Sequence, residues 1–293
     1  MSDDSYSKQR SYAFVTPSYR GDFERCRLLC ESTTRFLPEG IEHVLIVDRR
    51  DFDLFSTLQN GTVRIVEAES LLPWWIFRVP GVRGWWASLR SLPVRNWIYQ
   101  QMLKLSAFQV TDAEIIQFVD SDVTLTRPFP SDYLVRDGRV RLQCVAYQDQ
   151  EHANWLRVAS SLLGVPDAPI GEANYIGNLI TWTRSNAIGM VDRISEVAGT
   201  SYFNAIARSM QFSEYMTYGV YVDSVVGIEA SGHFYDDSPN LHLCWGYDLT
   251  TDAGMRRYLA EIGPENFGVM IHSKYGIPVK QYRSQIESIW EDA

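Results

Sequence analysis

The stretch that most constrains the fold is Glu114-Ile115-Ile116-Gln117-Phe118-Val119-Asp120-Ser121-Asp122-Val123, an apolar, β-branched run that stops at two acids one residue apart. Ile115, Ile116, Phe118 and Val119 leave little room for a solvated face, so the run reads as a strand buried on both sides. Such strands belong to parallel sheets covered by helices, and ligands bind beyond the carboxyl ends of those strands. Asp120 and Asp122 fall at that end. Two carboxylates so close repel each other unless a cation lies between them. A divalent metal carrying a diphosphate would suit, because hard oxygen ligands favour Mg²⁺ or Mn²⁺ and phosphate oxygens complete the shell. The same spacing also serves as a turn-former or helix cap.

The rest of the chain supports an α/β reading. Ser11 to Thr16 is predicted as a first strand, stopped by Pro17, followed by a helix from about Phe23 to Phe36. Strands at Val44–Val47, ending in Asp48, and at Val63–Val66 complete a βαβ pattern with parallel pairing. Ala68 to Pro93 carries Trp74, Trp75, Trp85 and Trp86 among glycines and prolines and reads as a long ordered loop; such loops tend to be functional. A helix is expected from Val94 to Val110, with Trp97, Gln101 and Lys104 on one stripe. After the acids come a strand at Arg139–Ala146, a helix at Asn154–Gly164 and a strand at Tyr175–Thr183. Helices at Asn186–Ala198 and Tyr202–Arg208 precede a further helix capped by Ser213. The tail holds a helix from Asp252, a short strand at Val269–His272 and a last helix around Tyr282–Trp290. No repeat or linker divides the chain, so 1–293 reads as one domain.

Lys and Arg number 27 against 36 Asp and Glu, a net charge of −9. An acidic surface disfavours nucleic acid or an anionic membrane as the main partner, since both need a basic footprint. No apolar segment approaches the ~18 residues needed to span a bilayer, and Met1 to Arg10 does not read as a signal peptide. Cys26, Cys30, Cys144 and Cys244 are too scattered for a disulfide framework or a zinc site, which points to the cytoplasm.

Taken together, these pieces resemble a glycosyltransferase of the GT-A fold. The resemblance rests on Phe14-Val15-Thr16-Pro17-Ser18-Tyr19, the strand ending at Asp48, the Trp97–Leu105 helix, Asp120-Ser121-Asp122 and a late His272-Ser273-Lys274. Gln100-Gln101-x-x-Lys104-Leu105 and Ser213-Glu214-Tyr215 further look like a bacterial group acting on polysaccharides or natural products. The resemblance implies a GT-A-like single domain with a mostly parallel sheet. About 11–125 would form a nucleotide-sugar-binding half and about 126–293 an acceptor half.

It also implies transfer of a sugar from a nucleoside-diphosphate sugar, a UDP-sugar being favoured, to an acceptor hydroxyl. Asp120, Asp122 and His272 would hold Mn²⁺ or Mg²⁺, offsetting charge on the departing diphosphate. Donor contacts would come from Thr16, Pro17, Ser18, Tyr19, Arg20, Asp48 or Asp51, Gln101, Lys104, Asp120, Ser121 and Lys274. An inverting transfer needs a general base. Glu214 is the candidate, with Glu172, Asp237, Asp149 and Glu151 as weaker options, although a glutamate at a helix start is also a favourable dipole partner. Tyr175, Asn178 and Trp85 are expected at the acceptor; the tryptophans serve equally as core or lid. A retaining enzyme would need no such base.

Rival readings have less support. A nucleotidyltransferase would want a glycine-rich basic loop after the first strand, and Thr16-Pro17-Ser18-Tyr19-Arg20-Gly21-Asp22 has one glycine and one arginine. No Gly-x-Gly-x-x-Gly follows a strand, and no Gly-x-Ser-x-Gly elbow appears. A non-catalytic nucleotide- or carbohydrate-binding protein of the same fold would tolerate Asp122→Ala; a transferase would not.

Overall fold

Alternate residues of the first strand point to opposite faces of the sheet, and both faces are covered. Tyr12 and Phe14 enter a core with Leu28, Leu29, Val119 and Ile286, while Val15 enters another with Ile98, Met102, Phe118 and Trp182. A computed structural model describes residues 10–79, 81–82, 84–146, 149–165 and 173–293. It is a mixed α/β structure whose central sheet is mostly parallel and flanked by helices. The strand order is Leu179–Thr183, Ile115–Val119, Tyr12–Ser18, His43–Val47 and Val63–Glu67. Only Leu179–Thr183 runs antiparallel to its neighbour.

Pro17 does not stop the first strand, which runs from Tyr12 to Ser18. Pairing with Ile115–Val119 ends at Val15, so the missing N–H of Pro17 falls where no further partner on that side is required. The strand expected at Arg139–Ala146 divides into Arg139–Gln143 and Val145–Ala146. The helix expected from Val94 to Val110 is shorter, at Asn96–Leu105, with a 3₁₀ turn at Ala107–Gln109.

The tryptophan-rich excursion is more ordered than a loop. Ile76–Phe77, Trp85–Ser88 and Val94–Arg95 form a small antiparallel sheet. Each Trp-Trp pair splits, with Trp75 and Trp86 buried and Trp74 and Trp85 exposed. Period-two alternation explains the split at Trp85-Trp86, which lie in a strand. Trp86 stacks on Tyr99 at 3.7 Å and carries the Arg78 guanidinium at 4.3 Å. The two expected halves interlock. Val123–Leu125 pairs antiparallel with Gly268–Met270, and Trp290 Nε1 donates to the Leu125 carbonyl at 2.8 Å.

Candidate active site

Asp120 follows directly on the central strand Ile115–Val119, and Asp122 precedes the short strand Val123–Leu125. The turn between them is pinned on two sides. Ser121 Oγ donates to Ser18 Oγ at 2.9 Å, which ties the acids to the first loop. The backbone N–H of Ser273 donates to Asp122 Oδ2 at 3.3 Å, and that of Ile271 to the Asp122 carbonyl at 3.1 Å. Asp122 Oδ1 is shielded from water and finds no hydrogen-bond partner among the described residues. Burial, then the charge of Asp120, pushes the Asp122 carboxyl up to about 7. Asp22 is raised as well, first by burial and also by Asp120.

One largely buried ammonium serves this cluster. Lys104 Nζ lies 3.5 Å from Asp120 Oδ1 and 3.1 Å from Glu214 Oε1, and sits over the Tyr215 ring at 4.2 Å. Burial opposes its charge, but Asp120, Tyr215 and Glu214 outweigh that and hold it well above the usual lysine range. Glu214 opens the helix Glu214–Val220, with Ser213 Oγ accepting from the Met216 N–H as cap. The Glu214 N–H donates to Gln101 Oε1 at 3.0 Å, so Gln101 positions this helix and does not line the cavity. The Gln101 side-chain nitrogen is buried without a partner among the described residues.

Asp120, Lys104 and Glu214 line a cavity of about 970 Å³, together with Asn178, His272 and Lys274. Asn178 Nδ2 donates to Asp120 Oδ2 at 3.5 Å. Sequence reasoning did not find the aromatic wall of this cavity beyond Trp97. Trp97 and Trp155 approach at 5.8 Å, and Trp245 lies 5.1 Å from the His272 ring. No local motif marks Trp155 or Trp245, which reach the cavity from separate elements of the second half. Asp149 and Asp237 also line it. Glu151 is exposed and does not, and Glu172 lies outside the described residues.

The expected donor loop takes structural partners of its own. Thr16 is buried and donates to the Val119 carbonyl at 2.8 Å, with His43 Nε2 at 2.9 Å. Pro17 and Ser18 continue the strand, and the exposed Tyr19 ring folds over Gly21, where a Cβ would come within 2.4 Å of it. Arg20 Nε pairs with the buried Asp51 at 2.9 Å. Asp48 is held between Arg78, at 2.8 Å, and Arg50, at 3.1 Å, close ion pairs that do not meet hydrogen-bond geometry.

Two expected acceptor residues are elsewhere. The Tyr175 ring packs on Gly219, where a Cβ would come within 2.1 Å of it, and its hydroxyl donates to Asp223 at 3.3 Å. Trp85 lines a separate apolar cavity with Val82, Leu92, Pro93 and Met210. Neither joins the 970 Å³ cavity.

The expected metal set also changes. No group of three His, Cys, Asp or Glu among the described residues is disposed to hold a metal ion. His272 Nδ1 accepts the Lys274 N–H at 3.0 Å, so the neutral imidazole carries its proton on Nε2. Burial, and then Lys274, lowers its pKa, which favours that neutral form. An N–H at Nε2 suits a phosphate oxygen and not a metal. The two aspartates still fit a divalent ion, because Asp122 Oδ1 is an orphaned oxygen donor. Mg²⁺ in particular is commonly held by one or two carboxylates plus substrate phosphates.

Residues 13–242 match the model of a family of unknown function, DUF6492. The chain belongs to that family. No curated protein matches it. Among solved structures it is similar to apo mouse xyloside xylosyltransferase 1, with 10% identity, 91% of this chain and 99% of that chain covered, and a TM-score of 0.47. It is also similar to an active-site mutant of LgtC, and to the galactosyltransferase LgtC in complex with donor and acceptor sugar analogues. Each of these has 11% identity, 94% and 95% coverage and a TM-score of 0.47. No helix among the described residues is long and apolar enough to cross a membrane.

Proposed function

We propose that the protein is a GT-A-type glycosyltransferase that moves a sugar from a nucleoside-diphosphate sugar to an acceptor hydroxyl. One observation carries this reading. At the end of the central strand Asp120 and Glu214, bridged by the largely buried Lys104, open into an aromatic-walled cavity of about 970 Å³, and the orphaned Asp122 oxygen lies next to Asp120 without lining that cavity. Asp120 and Asp122 would hold the divalent ion, which when bound supplies positive charge against the leaving diphosphate. His272 Nε2–H and Lys274 are suited to the same phosphate oxygens as donors prearranged for developing charge. Asn178 orients Asp120 through its amide. Trp97, Trp155 and Trp245 offer aromatic faces for sugar C–H groups. In an inverting course Glu214 would take the acceptor proton, with Lys104 Nζ fixing its position at 3.1 Å.

The test is a thermal-shift screen with UDP, GDP, dTDP and CDP, each with and without Mn²⁺, on wild type and Asp122→Ala. Ligand binding to the folded form raises the melting temperature by mass action. One nucleotide should stabilise the wild type only with Mn²⁺, and Asp122→Ala should lose that response. Silence from all four nucleotides would reject the metal-dependent transferase and favour a binding protein.

A further inference from the structure

The acidic balance of the chain is unevenly distributed. From Ser70 to Thr111 there is no Asp or Glu, yet this stretch holds Arg78, Arg83, Arg90, Arg95 and Lys104, in a chain whose net charge is −9. The same stretch carries most of the exposed large apolar side chains. Leu92 is 77% exposed, Trp74 76% and Leu89 63%, with Phe77, Val79, Val82 and Trp85 also open to solvent. Phe77 and Trp85 stand on the small three-stranded sheet and the others on the segments that flank its strands, while Trp75, Ile76, Trp86 and Val94 anchor the same stretch in the main core. The outward apolar residues of this platform are not collapsed onto the protein. Between Val82, Trp85, Leu92, Pro93 and Met210 lies a cavity of about 390 Å³ with no charged side chain among the described residues of its lining.

We propose that this platform docks the protein on an anionic lipid surface. Charge complementarity selects that occupant. Arg90 and Arg95 are exposed beside the apolar patch, and the carboxylates at its border are engaged by arginines. Asp48 faces Arg50 and Arg78, Glu67 faces Arg49, and Glu69 accepts the backbone N–H of Arg49. Exposed indole and leucine beside arginine, with no acid between them, is the composition of an interfacial anchor. The apolar cavity is lined to receive an acyl chain or an inserted lipid terminus. Docking is independent of the nucleotide reading, because none of Trp74, Phe77, Val79, Val82, Trp85, Leu89, Arg90, Leu92 and Arg95 lines the 970 Å³ cavity.

The experiment is flotation of the full chain with phosphatidylcholine vesicles, with and without phosphatidylglycerol, at low and high salt. Wild type should float with the anionic vesicles, and high salt should weaken binding. Arg90→Glu/Arg95→Glu should reduce partitioning by at least about 25-fold, from roughly fivefold per arginine. Leu89→Asp/Leu92→Asp should reduce it by about tenfold or more through lost apolar burial. All four positions are exposed, so melting temperatures and any nucleotide shift should be unchanged in both variants. Brominated lipid should quench tryptophan fluorescence in wild type, and less so in Trp74→Phe. No flotation of wild type, or equal flotation of all variants, would overturn the proposal. So would a wild-type dimer that Leu92→Asp splits, since the patch would then be an interface between copies of the chain.

Discussion

Asp48 and Asp120 each follow a parallel strand that flanks Tyr12–Ser18, yet the fold treats them in opposite ways. Asp48 lies between two guanidiniums at 2.8 and 3.1 Å. Asp120 shares one ammonium with Glu214, and Asp122 beside it has an oxygen with no partner among the described residues. A carboxylate with two arginines is electrostatically closed. Two carboxylates that share one lysine, beside an Asp122 with no ion pair among the described residues, keep unbalanced negative charge, which favours an incoming cation. Position at a strand end supplies an acid; the neighbouring elements decide whether it is a brace or a site.

The largest expected effect lies in the open cluster. If Glu214 is the general base, Glu214→Gln should cut turnover by about 10²–10⁴-fold and leave the Mn²⁺-dependent nucleotide shift in place. Single-turnover kinetics on a confirmed donor would decide it, and unchanged turnover would remove Glu214 from the chemistry. Asp122→Asn should weaken nucleotide binding about 100-fold, because losing even a group that only orients a metal ligand costs up to about that much. It should also raise the melting temperature without ligand, since a half-buried charge beside Asp120 is removed. A lower melting temperature would mean that Asp122 is structural, like Asp48.

The closed site should respond the other way. Arg78→Ala should cost about 2–3 kcal/mol of stability, because a buried carboxylate loses a partner and Trp86 loses its stacked cation. The nucleotide response should survive. Chemical denaturation of the variant with and without nucleotide separates the two effects.

A smaller effect per pH unit separates acids from histidines. His43 is fully buried between Thr16 and Thr33, and burial lowers its pKa to about 3. His233, bonded to Tyr218, is lowered to about 4, chiefly by burial. Both folded values lie below the ordinary 6.5, so the unfolded chain binds more protons in between. Stability should therefore fall as pH drops below about 6.5, by about 1.4 kcal/mol per unit for each histidine. Urea melts between about pH 4 and 7 should show a shallower slope for His43→Asn. An identical slope would assign the acid sensitivity to the carboxylates instead.

Much of the fold was legible in the sequence. The strand at Ile115–Val119 follows from an apolar run too continuous for a half-solvated sheet, and the helix at Phe23–Phe36 was expected there although its apolar spacing fits a helix only loosely. The GT-A resemblance implied Asp120, Lys104, Asn178, Glu214 and His272 as residues of one site, and all five line a single cavity. Trp85 and Tyr175 do not line that cavity, because alternation in a strand and a fit against Gly219 depend on register and packing that no local pattern encodes.

What the sequence determined by itself is where acids follow apolar strands and which stretch lacks acids altogether. Local chain chemistry suffices for both. Only the tertiary structure decided which acid is neutralised and which indole faces water. Arg78 reaches Asp48 from the excursion, and Lys104 reaches Glu214 from 110 residues before it in the chain. Charge balance is a sum over neighbours in space, and in this protein those neighbours come from distant parts of the chain.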